Sequence, residues 1–149
     1  MWHARSLRQW ALIVALSPIS VVAQQSAPGA ISGTLSYPSE DIPPLRVCAI
    51  SAANASRYRC VMTKANQEKY RIDALGPGTY FVVAYPKVVE GWRNATPGAY
   101  SKMVPCGLRR ECIDHTLIPV HVRSGETSRN IDPGDWYADS TTFPPEPPL

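Results

Sequence analysis

The sequence predicts an all-β domain, an antiparallel Greek-key-like β-sandwich of about seven strands with one disulfide-closed loop insertion. Three observations lead there. Short runs alternate apolar and polar residues with the period of a strand, as in Ala30-Ile-Ser-Gly-Thr-Leu-Ser-Tyr37. Turn residues separate these runs, with 15 prolines and 9 glycines in 149 residues, so few stretches can sustain a helix. Four cysteines, Cys48, Cys60, Cys106 and Cys112, follow a segment of export character, where disulfides staple small β domains.

The elements follow in chain order. Arg5 and Arg8 precede the apolar run Trp10 to Leu16, and Val21-Val22-Ala23 offers small residues where a signal peptidase cuts. Residues 1–23 therefore read as a signal peptide, and the domain is expected at 24–139. The apolar run is shorter than the roughly 20 residues that span a bilayer. No later run is longer, so no transmembrane segment is expected after cleavage. Cleavage would remove two of the 15 basic residues and none of the 12 acidic ones. A nearly neutral chain without a clustered basic face argues against nucleic-acid binding.

Ala30 to Tyr37 is the first strand, with Ile31, Leu35 and Tyr37 on one face, and Pro38, Pro43 and Pro44 then bracket an acidic loop. Leu45, Val47 and Ala49 alternate in the second strand, and Tyr58 to Met62 can run back beside it with Cys60 opposite Cys48. Of the three possible pairings, Cys48 with Cys60 and Cys106 with Cys112 join near neighbours. Chain entropy assigns these loops about 2.9 and about 2.4 kcal/mol. Neither spacing is that of a zinc knuckle.

Tyr70, Ile72 and Ala74 alternate into Leu75, where Gly76-Pro77-Gly78 supplies a corner in which glycine can take positive φ. Thr79 to Tyr85 is apolar on both faces, with Tyr80, Val82 and Ala84 on one and Phe81, Val83 and Tyr85 on the other, the mark of a central strand. Residues 87–114 lack a sustained strand pattern and read as an insertion, with helix expected at Ala99 to Val104 and a tight loop from Cys106 to Cys112. Strand character resumes at Leu117 to Val122, and Gly125 turns the chain toward Thr127 to Ile131, a second expected hairpin. Residues 140–149, with Phe143-Pro-Pro-Glu-Pro-Pro148, read as a proline-rich flexible tail.

Several pieces in this order resemble the carboxypeptidase regulatory-like domains: Gly29-x-Ile31-x-Gly33, Leu45-x-Val47-x-Ala49, Tyr70-x-Ile72-x-x-Leu75-x-x-Gly78-x-Tyr80-x-Val82-x-Ala84-Tyr85, and Val120-x-Val122-x-x-Gly125-x-Thr127. The resemblance spans roughly Gly29 to Ile131 without the insertion. It implies a transthyretin-like (prealbumin-like) sandwich and a non-catalytic exported module. No peptidase zinc motif accompanies it, and the C-terminal Tyr-Arg-Gly-Ser signature of the hydroxyisourate hydrolases on this fold is missing.

Chemistry-bearing residues are sparse. His115 and His121, with Asp114, flank one strand, and residues six apart in a strand lie about 20 Å apart, too far to share an ion. His115 is expected to be hydrogen-bonded near the disulfide loop and His121 to face solvent. Asp132 and Asp135 are expected to cap turns around Pro133-Gly134, with Trp136 over the sandwich end. Asn54-Ala-Ser56 and Asn94-Ala-Thr96 are glycosylation sequons. The carboxylates Glu90, Glu111, Asp114 and Asp135 are scattered, and no Gly-x-Ser-x-Gly is present, so neither a catalytic residue nor a cofactor is expected.

The sharpest feature is Cys106-Gly-Leu-Arg-Arg-Glu-Cys112, a closed basic loop that would lose little entropy on docking. Leu108, Arg109 and Arg110, with the aromatic residues Trp92, Tyr100 and Trp136, are the expected contacts for another protein or a cell-envelope component. The function expected is that of a secreted or periplasmic binding or structural module. The alternatives are a regulator or inhibitor of an extracellular peptidase acting through residues 106–112, and a small metal-dependent hydrolase.

Overall fold

A computed structural model of the protein describes residues 26–87 and 96–149. The signal-peptide segment, Glu90, Trp92 and Asn94 lie outside the described residues. The elements are β1 (Gly29–Thr34), β2 (Leu45–Ser51), β3 (Tyr58–Met62), β4 (Lys69–Leu75), β5 (Gly78–Pro86), β6 (Gly98–Ala99), α1 (Met103–Cys106), β7 (Val120–Val122) and β8 (Thr127–Ser128). They form two sheets. One has the order β4-β1-β8; the other has β3-β2-β5, with β6 and β7 sharing the far edge of β5 at Val83–Ala84 and Gly78–Tyr80. The connections β1–β2, β3–β4, β4–β5 and β7–β8 change sheets, which makes the sandwich Greek-key-like.

The β2–β3 hairpin has the expected register, Cys48 opposite Cys60, and the two are joined with a Cα–Cα distance of 4.1 Å. Cys106 and Cys112 form the second disulfide. The inner faces of both sheets close one core, with Ile31, Leu45, Val47, Ile72 and Val82 fully buried.

Three local expectations are corrected. The positive φ near the β4–β5 corner belongs to Ala74 (φ 58), not to Gly76 or Gly78. The register of β1 on β4 shifts there, a bulge that leaves Ala74 exposed and turns Leu75 into the core. The hairpin expected from β7 and the segment after Gly125 does not form: β7 pairs with β5, while β8 crosses to the other sheet and lies parallel to β1. The free edge of β1 takes that segment, with Ala30 N–H donating to Glu126 C=O. The expected helix at 99–104 gives way to α1, because Ala99 is held in strand pairing by Val83 and by Asp135.

The tail is extended, as its prolines require, but docked rather than free. Phe143 and Pro147 are buried, and a second apolar cluster joins Phe143 and Ala138 to Cys48, Ile50, Val83, Tyr85 and Ala99 on the outer face of the β2–β5 sheet. Composition suggested mobility because proline cannot donate to a ladder; here side chains of the sandwich do the donating. The two apolar faces of β5 thereby find separate covers, the opposing sheet and the tail.

Candidate functional site

The insertion end is built on a short helix with a sharp stop. Gly107, in the left-handed region (φ 97), ends α1; its N–H donates to Val104 C=O, and Leu108 N–H donates to Met103 C=O. That pair of bonds is a Schellman motif, and the contact it usually brings, here Met103 with Leu108, lines one wall of the site. The Cys106–Cys112 disulfide closes the loop just beyond.

One buried carboxylate ties the insertion to the sandwich. Asp135 is fully buried, and its Oδ2 accepts from the Ser101 hydroxyl at 2.5 Å and from His115 Nδ1 at 2.8 Å. Its backbone pairs with Ala99 in both directions, and its Oδ1 accepts from Tyr137 N–H at 3.3 Å. A carboxylate removed from water needs such partners, so the three bonds settle where Ser101, His115 and Tyr137 sit. Asp135 therefore does not cap the Pro133-Gly134 turn as expected. Asp132 does, through its carbonyl to Gly134 N–H, while its carboxylate accepts from Thr34 N–H at 2.6 Å.

Trp136 follows and is buried, 8% exposed, edge-on to Tyr37 with ring centroids 4.9 Å apart. A Cβ at Gly98 would lie 2.5 Å from the indole, so only glycine lets this ring down onto β6. Burial removes Trp136 from the expected contact surface. Tyr100 is half-buried against the same core, and Tyr137, 59% exposed, takes the outward place.

Between the helix, the disulfide loop and Tyr137 lies an open depression of about 370 Å³, lined by Met103, Leu108, Arg109, Arg110, Cys112, His115 and Tyr137. The structure brings Leu108, Arg109 and Arg110 together here, as the loop reading expected. It adds His115 and Tyr137, which that reading left out of the contact set. Neither arginine forms an ion pair among the described residues, whereas neighbouring Asp114 is paired with Lys102 at 3.0 Å. Hydrogen bonds from Thr116, then Lys102, hold the Asp114 carboxyl down at about 2. Leu108, Ile113 and Tyr137 are large apolar side chains left exposed at this one end.

His121 is held elsewhere, its Nδ1 3.0 Å from the Thr79 hydroxyl. Among the described residues no three His, Cys, Asp or Glu side chains converge as metal ligands. No helix among them is long and apolar enough to cross a membrane. Comparison with family models, curated proteins and solved structures finds no match to the chain.

Proposed function

We propose that the protein is an exported, non-catalytic β-sandwich module, secreted or periplasmic, that binds another protein or a cell-envelope component through its insertion end. The observation that carries this reading is the depression at residues 103–137. It sets two unpaired arginines beside exposed Leu108 and Tyr137 on a frame held by a disulfide and a buried carboxylate. Arginine and tyrosine next to apolar anchors are the side chains that dominate binding energy at protein interfaces. A frame already ordered loses little entropy when a partner docks. The unpaired guanidinium groups favour an acidic partner surface. Two disulfides suit an oxidising environment, and the export character of residues 1–23 and the likeness to carboxypeptidase regulatory-like domains support the same reading.

The test is affinity capture with the oxidised full chain, followed by titration of the purified partner. Arg109→Glu with Arg110→Glu, both exposed positions, is expected to weaken that partner at least tenfold while leaving the melting temperature in place. A partner that binds the double variant equally well would overturn the assignment.

A further inference from the structure

The outer face of the β2–β5 sheet holds a second site, and the way it grips the tail is specific. The Tyr85 hydroxyl donates to the carbonyls of Pro144 and Pro145 at 2.9 and 3.2 Å. The Tyr58 hydroxyl donates to Pro148 C=O at 3.0 Å. Arg46, only 6% exposed, donates to the carbonyls of Pro147 and Pro148 and to the Glu146 carboxylate at 3.1 Å, which Lys87 Nζ also meets at 2.5 Å. Every donor in this set belongs to the sandwich and every acceptor to the tail. Four of the six residues from Phe143 to Pro148 are prolines, which have no N–H to offer. Reading an extended, donor-free backbone through its carbonyls, along a wall of aromatic side chains, is how polyproline II segments are recognised.

We infer that this face is a binding groove for proline-rich segments that carry an aromatic anchor and an acidic residue among the prolines, and that the chain's own tail is its resident occupant. Three features argue for exchange with a segment from another protein. The tail has no ladder pairing, and the lead into it, Asp139 to Thr142, is exposed with one turn bond from Thr142 N–H to Asp139 C=O. The groove is wider than its occupant: about 380 Å³ remains between Pro145–Pro148 and the wall of Ile50, Ala55 and Tyr58. Arg46 has Glu146 as its ion-pair partner, so a vacated groove would leave a buried guanidinium uncompensated and is best refilled by a like segment. Attachment gives the tail an effective concentration in the millimolar range, so an outside segment must bind better or meet a weakened tail.

The probe is a labelled synthetic peptide of residues Ser140–Leu149. It is titrated into the unmodified full chain and into the full-length double variant Phe143→Ala, Glu146→Ala, which keeps the groove and weakens the resident tail. The peptide is expected to bind the double variant at least tenfold more tightly than the unmodified chain. Adding Arg46→Met to the protein, or replacing the peptide's glutamate by lysine, should remove that binding. No binding to the double variant, or binding indifferent to Arg46 and to the glutamate, would overturn the inference. Should the double variant fail to fold, the Leu149 methyl resonances of the unmodified chain serve instead: excess peptide is expected to move them to free-tail positions. Resonances unmoved at saturating peptide would equally overturn it.

Discussion

The insertion end and the C-terminal tail are both appended to one sandwich, and each is tied down through a buried charged side chain. For the insertion it is Asp135, which gathers Ser101, His115 and Tyr137. For the tail it is Arg46, which gathers Glu146 and the carbonyls of Pro147 and Pro148. The difference lies in what closes each region. A disulfide closes the insertion loop, so its geometry survives changes of pH and concentration. Side-chain hydrogen bonds close the tail, so its occupancy is an equilibrium. The comparison teaches that a rigid contact surface and an exchangeable segment can be built on one scaffold by changing only the closing chemistry.

Substitutions separate the two regions, beginning with the largest effect. Asp135→Ala leaves the buried Ser101 hydroxyl without its acceptor and unties His115, and should cost about 2–4 kcal/mol in denaturant unfolding. The tail should stay docked in that variant, because none of its contacts involves Asp135. Phe143→Ala removes the buried anchor of the tail and should cost about 2–3 kcal/mol, less than a deep-core truncation because the outer face can be rewetted. It should leave the depression at the insertion unaltered. Opening the loop by Cys106→Ser with Cys112→Ser should cost about 2.4 kcal/mol and weaken partner binding, again without moving the tail.

The smallest effect is the one that pH should reveal. Burial pushes the Glu146 carboxyl up, but hydrogen bonds from Lys87 and Arg46 and their charges outweigh it, and the net shift is downward. A depressed carboxylate stabilises the docked tail above its unfolded pKa, and that contribution is lost as pH falls through the folded value. The tail should therefore loosen below the ordinary carboxylate range, by under about 1 kcal/mol because the group is partly solvated. Leu149 methyl shifts followed down to acid pH check this, and Glu146→Gln should flatten the curve. At the other extreme, burial keeps the Tyr85 hydroxyl protonated well above the usual tyrosine range, so it remains a donor to the tail.

What could be read from the sequence was mostly local. Alternation placed β2 and β3 and paired Cys48 with Cys60, because hairpin register depends on neighbours in the chain. The two apolar faces of Thr79 to Tyr85 announced a strand buried on both sides, but not that the second cover is the tail 60 residues on from Tyr85. Nothing in Phe143-Pro-Pro-Glu-Pro-Pro148 says that tyrosines and an arginine far upstream will reach its carbonyls. The fate of the segment after Gly125 was equally non-local, decided by an unpaired edge of β1. At the insertion, the closed basic loop was legible from its cysteine spacing, whereas the partner of His115 lies 20 residues away at Asp135 with no periodicity linking them. Gly98 beneath Trp136 gave a weak signal, a glycine needing a reason, which only the packed ring supplies.

The measurement that tests the central claim most directly is partner affinity in two full-length variants side by side, Arg109→Glu/Arg110→Glu and Phe143→Ala. The account predicts at least a tenfold loss in the first and an unchanged affinity in the second. An unchanged affinity in the arginine variant, or a loss confined to the tail variant, would contradict it.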